Sequence, residues 1–272
     1  MDKTTINRIQ DSRRVVIKVG TSTLLHNNGK LDLRHFSMLC RVIADLQNGG
    51  RQVTLVTSGA IGVGLGKLGL NKRPDETSKK QALAAVGQCE LMFMYDKLFG
   101  EYNQTVAQVL VTADVLDEPK TRINVTNTFT RLIDMGIIPI VNENDTVATA
   151  ELEGKNIGDN DTLSATVARL VDADLLIILT DIDGLYDSNP QKNPDARLIS
   201  LVDEITPAIR KLAGPAGSKL GTGGMSTKIK AAEIATSAGI PCFVIGGSDP
   251  DNLYRIFDGE KVGTLFATGG KR

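Results

Sequence analysis

The chain has 272 residues, of which 41% are hydrophobic and 23% charged, so it is long enough and apolar enough to bury a sizeable core. Its 31 Lys and Arg residues nearly balance its 32 Asp and Glu residues, and both signs are spread along the sequence. This balance excludes the concentrated basic surface of a dedicated nucleic-acid binder, so we expect no nucleic acid among its partners.

The N-terminus and the cysteines indicate a cytoplasmic protein. Residues 1–14 lack the apolar core of a signal peptide, and no apolar run is long enough to cross a bilayer. Cys40, Cys89 and Cys242 are far apart and form neither a C-x-x-C pair nor a zinc-binding pattern with histidine. We therefore expect a reducing compartment and no membrane partner.

Short apolar runs alternate with helical patterns along the chain, which is typical of a parallel sheet covered by helices on both faces. The runs lack the polar alternation of half-exposed strands, so they predict strands that are buried on both sides. The predicted strands are Val15–Val19, Val53–Thr57, Val106–Val111, Ile137–Val141, Leu175–Leu179 and Cys242–Ile245.

Capping residues and glycines mark the predicted helices between these strands. The chemistry of the motifs changes near residues 170–174, so we predict an N-terminal lobe of residues 1–170 and a C-terminal lobe of residues 171–272. Because the strand pattern continues across this boundary, we expect both lobes to share one continuous sheet. The predicted helices run from Asp32 to Gly49, from Glu76 to near Gly100, from Arg122 to Met135 and from Asp161 to Val171.

The first predicted strand ends in residues suited to phosphate. In open α/β sheets, ligands bind beyond the carboxyl ends of the strands. Here Lys18 supplies an ammonium, Gly20 supplies a backbone that a ligand can approach, and hydroxyl residues follow. A solvated lysine before an ordinary turn is the alternative, but a solvated lysine is not expected inside an apolar run.

A glycine-rich segment, GTGGMSTK at Gly221–Lys228, precedes another helical pattern. Backbone amides and a helix N-terminus at such a loop favour an anion. The segment is not a P-loop, because G-x-x-x-x-G-K-[ST] does not occur in the sequence. A flexible linker is the alternative, but a linker does not need Lys228 at the helix start, where its charge opposes the helix dipole.

A second glycine pattern raises a different function. Gly64–Gly69 matches G-x-G-x-x-G, which is found in dinucleotide-binding oxidoreductases. That fingerprint opens directly after a strand, whereas Ser58–Ala60 intervenes here and a long helix follows. Helix packing or a loose turn explains the glycines better.

Thr180 and Asp181 follow the fifth predicted strand. Their side chains could hold the ribose or the base of a nucleotide. They could equally initiate a turn, and the sequence leaves both possibilities open.

Carboxylates and amides cluster after the fourth predicted strand, in a NEND run from Asn142 to Asp145, and in a GDND run that contains Asn160. Such residues also form caps and turns. Together, however, they suit a zwitterionic ligand, because a carboxylate such as Asp145 binds an ammonium and the amides bind a carboxylate. Ser58 and Gly59, after the second strand, add a hydroxyl and an accessible backbone.

Two lysines beside one phosphate would repel each other, so we expect an aspartate to lie between them. Asp161 is the candidate, since it begins a predicted helix and would be held in place there. The sequence therefore predicts Lys18, Lys228 and Asp161 as catalytic residues.

The motifs resemble those of the amino acid kinase family, and in particular those of members that phosphorylate the side-chain carboxylate of glutamate. The NEND and GTGGMSTK segments are the most specific, because relatives that act on aspartate, acetylglutamate, carbamate or UMP differ there. The resembling segments span nearly the whole chain: Lys18–Ser22, Thr57–Ala60, Ile140–Asp145, Gly158–Asp161, Leu179–Asp181 with Gly184–Tyr186, and Gly221–Lys228.

The resemblance implies a three-layer α/β/α sandwich with a mainly parallel central sheet, glutamate in the N-terminal lobe and ATP in the C-terminal lobe. The implied reaction gives L-glutamyl 5-phosphate and ADP, as the first step of proline biosynthesis with L-proline as feedback inhibitor. Mg²⁺ would bridge the ATP phosphates with few protein ligands, so we assign no metal ligand. The expected partners are L-glutamate, L-proline, glutamyl phosphate reductase and further copies of the chain in a homo-oligomer.

Many of these kinases also carry a C-terminal PUA domain, and because the sequence ends at Arg272 we expect the kinase portion alone. A family kinase for another small acid and a non-catalytic sensor are the remaining alternatives, and the presence of both lysines argues against the sensor. The implied glutamate contacts are Ser58, Gly59, Asp145 and Asn160, with Asn142 nearby. The expected ATP contacts are Lys18, Gly20, Thr180, Asp181, Thr222, Gly223, Gly224, Met225, Ser226, Thr227 and Lys228.

Overall fold

The structure of the protein is a computed structural model, which describes residues 3–26, 28–70, 72–112, 118–147, 159–213 and 224–268. None of the helices in these ranges combines the length and the apolar character that crossing a membrane requires. The strands are β1 (Arg14–Val19), β2 (Gln52–Val56), β3 (Val106–Val111), β4 (Ile138–Glu143), β5 (Leu175–Thr180), β6 (Leu201–Val202), β7 (Cys242–Gly246) and β8 (Thr264–Phe266). The helices are α1 (Lys3–Gln10), α2 (Thr21–Leu24), α3 (Leu33–Asn48), α4 (Ala60–Lys67), α5 (Thr77–Gly100), α6 (Pro119–Asp134), α7 (Asn160–Leu170), α8 (Pro207–Leu212), α9 (Met225–Ser237) and α10 (Asn252–Phe257).

All six strands predicted from the sequence are present, with ends shifted by at most two residues. Every residue of β4, β5 and β7 is buried, which explains why these strands lack an alternating polar pattern. The two remaining strands, β6 and β8, were not predicted, because two and three residues are too few to show a periodic pattern.

The chain divides into two compact units. The continuous unit is Val19–Asn160, and the discontinuous unit combines Met1–Lys18 with Asp161–Arg272. The predicted lobe boundary at residues 170 and 171 therefore differs from the observed division, which falls before α7 and also assigns the first residues to the C-terminal part. Lys18 of β1 and Asp161 of α7, which are far apart in sequence, both belong to the discontinuous unit and form an ion pair there.

The continuous unit contains the strands β3, β4 and β2 in that spatial order. Both pairings are parallel, so the carboxyl ends of these strands lie at one edge. The residues that follow β2 and those that end β4 are therefore neighbours in this unit, as Thr57 N donating to Val141 O at 2.8 Å shows. This edge carries Ser58 and Asn142.

The discontinuous unit contains β1 up to Lys18, followed by β5, β7, β8 and β6 in spatial order. β5 pairs with β7 in parallel, and β6 pairs with β8 in parallel, whereas β7 and β8 are antiparallel. The start of β1 is tied to the start of β5, because the Asp174 backbone amide donates to Arg14 O at 2.8 Å. Lys18 and Thr180 thus lie near the carboxyl ends of β1 and β5.

The predicted helices agree with the structure where capping residues mark their ends. Asp32 caps α3 by accepting a hydrogen bond from the His35 backbone amide at 3.0 Å. The helix predicted from Arg122 begins earlier, at Pro119, because Glu118 caps it and proline is favoured in the first turn.

Close helix packing explains the G-x-G-x-x-G pattern, as the sequence favoured. Gly64 and Gly66 lie inside α4 and not in a loop after a strand. A Cβ atom at Gly64 would lie 2.1 Å from Leu83 O in α5, and one at Gly66 would lie 2.4 Å from Gly29 O. The third glycine, Gly69, has a positive φ of 67° in the turn that follows α4. The glycines therefore serve packing and a turn, and not a dinucleotide fingerprint.

Candidate active site

Asp161 lies between two lysines in the discontinuous unit. Its Oδ1 atom is 2.6 Å from Lys18 Nζ, and its Oδ2 atom is 3.1 Å from Lys228 Nζ. Asp161 is fully buried, and Lys18 and Lys228 expose only 7% and 5% of their surfaces. Two ammonium groups face one carboxylate, so the cluster carries an excess positive charge that suits an anionic ligand.

The charges of the lysines control the ionisation of Asp161. Burial favours the neutral acid, but the positive charges of Lys18 and Lys228 outweigh it and hold the pKa of Asp161 below its usual range. A hydrogen bond from Thr227 Oγ1 to Asp161 Oδ2, 2.8 Å long, acts in the same direction. Asp161 is therefore a fixed anion that positions two cations.

Each member of this cluster is positioned by the end of a regular element. Lys18 is the penultimate residue of β1, Asp161 is the second residue of α7, and Thr227 and Lys228 lie in the first turn of α9. Gly224 precedes α9, and because glycine has no side chain, it cannot cap the first amides of the helix in place of a ligand. An anion fits this helix N-terminus and the adjacent ammonium groups.

The other described residues that were predicted to contact ATP lie at the ends of different strands and helices. Thr180 ends β5 and is buried, and its hydroxyl donates to Asp181 Oδ1 at 3.1 Å, while Asp181 itself is exposed. Gly224, Met225 and Ser226 begin α9, as described above. Gly20 precedes α2 in the continuous unit. The predicted contacts Thr222 and Gly223 lie outside the described residues.

In the continuous unit, Ser58 and Gly59 form the turn between β2 and α4. The Ser58 hydroxyl donates to Val19 O at 3.0 Å and accepts from Thr21 Oγ1 at 3.3 Å, so its position is fixed. Gly59 has a φ of 92°, which side chains disfavour, and a Cβ atom there would lie 3.2 Å from Thr21 Cγ2. Glycine is therefore required where the chain enters α4.

Asn142, near the end of β4, forms a buried amide pair with Gln88 of α5. Asn142 Nδ2 donates to Gln88 Oε1 at 2.8 Å, and Asn142 Oδ1 accepts from the Glu143 backbone amide at 2.9 Å. The sequence did not predict Gln88. Its signal is a polar residue on the buried face of α5, among Leu83, Gly87, Leu91 and Tyr95.

Asp145 and Asn160 offer oxygen atoms that suit a cation. Burial raises the pKa of Asp145 to about 6, and the positive charge of Arg73 partly opposes the rise. Asn160 Oδ1 is buried and has no hydrogen-bond donor among the described residues. Both residues belong to the continuous unit, as do Ser58 and Asn142.

The described ranges contain no group of three or more His, Cys, Asp or Glu side chains arranged to hold a metal ion. Asp161, the most buried carboxylate of the candidate site, already contacts both lysines and Thr227.

Comparisons with known proteins show what this chain is similar to. A sequence model described as the amino acid kinase family matches residues 13–246. The chain is 54% identical over 259 residues to a glutamate 5-kinase from Clostridium perfringens, covering 95% of this chain and 96% of the relative. It is 55% identical over 261 residues to a glutamate 5-kinase from Listeria innocua, covering 96% and 95%.

A solved structure gives independent support for the fold. The UMP kinase from Bacillus anthracis superimposes with a TM-score of 0.64 at 17% identity, covering 94% of this chain and 96% of that one. This likeness, together with the mainly parallel strands and the helices described above, confirms the predicted three-layer α/β/α class.

Proposed function

Because the chain belongs to the amino acid kinase family, we propose that it transfers the γ-phosphoryl group of ATP to the side-chain carboxylate of L-glutamate. The products are L-glutamyl 5-phosphate and ADP, and the reaction is the first step of proline biosynthesis. The names of the curated relatives support glutamate as the acceptor. The buried cluster of Lys18, Asp161 and Lys228 is the main structural support for phosphoryl transfer.

The two lysines are suited to stabilise a phosphoryl group in transit. Negative charge on the equatorial oxygens of that group must be neutralised, and cations that are already in position need no reorganisation during the reaction. Asp161 holds Lys18 and Lys228 through both of its oxygens. The burial of all three residues excludes water and strengthens the attraction for the phosphoryl group.

Asp161 acts as a positioning anion and not as a general base. The attacking group is a carboxylate oxygen, which is already deprotonated at neutral pH, so no proton has to be removed from it. The lowered pKa of Asp161 and its contacts with both lysines also make it a poor proton acceptor. In the proposed step the glutamate oxygen bonds to the γ-phosphorus while the bond from phosphorus to the β,γ-bridging oxygen breaks, and ADP leaves with that electron pair.

The first turn of α9 supports binding of the ATP phosphates. A helix N-terminus presents unpaired amides and the positive end of the helix dipole, and residues 224–228 supply both. Thr180 and Asp181, at the end of β5, are proposed to contact the nucleoside. Mg²⁺ bound to the ATP phosphates would supply further charge neutralisation.

The polar residues of the continuous unit are proposed to bind glutamate. Asp145 binds the ammonium group, because it is a partly buried carboxylate, and Asn160 Oδ1 offers a second acceptor. Ser58, Gly59 and Asn142 supply the hydroxyl, amide and backbone groups that a carboxylate requires. A dicarboxylic amino acid matches this combination of acceptors and donors.

The proposal also covers inhibition, the fate of the product and the assembly of the protein. We infer that L-proline inhibits by occupying the glutamate pocket, because it resembles the cyclised carbon skeleton. The product is a reactive acyl phosphate, and we propose glutamyl phosphate reductase as the enzyme that consumes it. We further propose a cytoplasmic homo-oligomer.

Trapping the product tests the reaction. Hydroxylamine attacks an acyl phosphate to give a hydroxamate, so glutamate, ATP and Mg²⁺ together should yield ADP and hydroxamate in equal amounts. Aspartate, N-acetylglutamate and UMP serve as matched acceptors and should yield neither. Proline should suppress both signals, whereas ADP without hydroxamate would show idle ATP hydrolysis or a hydroxyl acceptor.

A further inference from the structure

Gln88 presents a buried hydrogen-bond donor that nothing in the described protein satisfies. Its side chain is only 8% exposed, and its Nε2 atom has no hydrogen-bond partner among the described residues. A buried amide donor without a partner is costly, which makes such a group rare unless a ligand or water completes it. The group therefore needs an explanation beyond packing.

The orientation of the Gln88 amide follows from its neighbours. The Glu143 backbone amide can only donate, so the side-chain atom of Asn142 that it meets at 2.9 Å must be the oxygen. Asn142 consequently points its NH₂ group at Gln88, and the atom of Gln88 that meets it at 2.8 Å must be an acceptor. Gln88 thus turns its own NH₂ group away from Asn142.

The surrounding helix holds Gln88 at the edge that carries the proposed acceptor site. The preceding residue, Gly87, contacts α4 so closely that a Cβ atom there would lie 1.7 Å from Ala60 O. Ala60 directly follows Ser58 and Gly59. Two turns further along α5, the Tyr95 hydroxyl shares a 2.8 Å hydrogen bond with Thr57 Oγ1. Gln88 is therefore fixed both to the residues after β2 and to the end of β4.

We infer that Gln88 Nε2 donates a hydrogen bond to a carboxylate oxygen of the acceptor amino acid, and that Gln88 is a specificity-determining residue. The inference rests on the proposed function and deepens it. A carboxylate suits the site, because the NH₂ group of Gln88 can donate hydrogen bonds but cannot accept them. A hydrogen bond from a buried donor to an ionised acceptor is among the stronger ones. Asn142 then has the role of setting the direction of this donor.

Gln88→Glu separates the donor from the structural role of Gln88. The glutamate side chain still provides an oxygen that accepts from Asn142, but it replaces the free NH₂ group with an oxygen that repels a carboxylate. At about pH 8.5, well above the usual glutamate pKa, we expect KM for L-glutamate to rise by about tenfold to a hundredfold. KM for ATP should stay within about twofold.

Two further variants keep the test decisive if Gln88→Glu folds poorly. Gln88→Met has a similar length but removes both the donor and the oxygen that accepts from Asn142, so it should raise KM for glutamate by about tenfold and lower stability to some extent. Cys89→Ser changes the adjacent exposed residue of α5 and should leave both KM values unchanged. Melting temperatures of all variants, measured without ligand, identify any loss of folding.

The outcomes separate this inference from the proposed function. Wild-type KM for glutamate in Gln88→Glu or in Gln88→Met would overturn the inference alone, because it would show that the donor contacts no substrate. A loss in Gln88→Met without any loss in Gln88→Glu would also overturn it, since Gln88 would then only position Asn142. Failure of the wild-type chain to release ADP with glutamate would overturn both proposals.

Discussion

Lys18 Nζ lies 2.6 Å from Asp161 Oδ1 in the discontinuous unit, and this contact joins the two points where the chain passes between its compact units. Lys18 is the last residue before the chain enters the continuous unit, and Asp161 is the first after it returns. The pair thus connects residues that are 143 positions apart in sequence, as 161 minus 18 gives. Through Asp161, the position of Lys18 is coupled to that of Lys228.

Removing either lysine should affect turnover much more than glutamate binding. Lys18→Ala and Lys228→Ala should each lower kcat by about a hundredfold or more, because each removes a preorganised cation from the transition state. KM for glutamate should change far less. Lys230→Ala removes an exposed lysine from the same helix as Lys228 and serves as the matched control. Near-normal kcat in either active-site variant would contradict the proposed role.

Asp161→Asn should lower both turnover and stability. Without the carboxylate charge, two buried ammonium groups face each other, and breaking a buried ion pair in this way costs about 3–5 kcal/mol. Urea unfolding at pH 7 measures that cost, and the rate assay should show a fall in kcat at least as large as in Lys18→Ala.

The stability contribution of Asp161 has a definite pH dependence. Its pKa is lowered in the folded protein, so its contribution is fully present above the unfolded pKa of about 3.9. It is lost as pH falls through the lower folded value. The difference in unfolding free energy between wild type and Asp161→Asn should therefore shrink below about pH 4. A difference that stayed constant down to about pH 2 would show that Asp161 is not paired as the structure describes.

Much of the framework could be predicted from the sequence, because its signals are local. The buried apolar runs gave all six longer strands, and Asp32 and Glu76 marked the starts of α3 and α5. Helix α4 was not predicted as a helix, since AIGVGLGK contains glycines that disfavour one. Packing against α5 overrides that preference, and a sequence pattern cannot reveal such a contact.

In the candidate site, too, the residues in local motifs could be predicted, whereas contacts between distant parts of the sequence could not. Asp161 was predicted to lie between Lys18 and Lys228 from their charge repulsion and from its position at a helix start, and in the structure it contacts both lysines. Gln88 was not identified, because its partner Asn142 is 54 residues away and a single polar residue on an apolar helix face does not by itself indicate a ligand contact. The division at residues 18 and 160 was equally hidden, since it depends on which elements pair in space.

Glutamate binding should weaken in acid as Asp145 becomes protonated. Burial raises the pKa of this carboxyl to about 6, so below that pH the neutral acid predominates and the partner of the substrate ammonium is lost. KM for glutamate should rise as pH falls from 7 to 5, with little change in KM for ATP. Asp145→Ala should show a raised KM for glutamate throughout this range, without the acid-dependent rise. An unchanged KM in Asp145→Ala would show that the acceptor site lies elsewhere.

The contact between α4 and α5 should tolerate no side chain at Gly87. A Cβ atom there would lie 1.7 Å from Ala60 O and 2.6 Å from Gly64 N, and these are backbone atoms that cannot rotate away. Gly87→Ala should therefore destabilise the protein by at least the upper end of the about 1–3 kcal/mol that is typical of overpacking.

Gly100→Ala is the matched control for this substitution, because Gly100 ends the same helix and a Cβ atom there would meet nothing within 4 Å. Alanine is the better helix former, so this variant should be neutral or more stable by up to about 1 kcal/mol. Urea unfolding of both variants measures the contrast. Because Gly87 contacts the start of α4, next to Gly59, Gly87→Ala should also raise KM for glutamate while KM for ATP stays near the wild-type value. Equal stability of the two variants would show that α4 and α5 are not packed as closely as described.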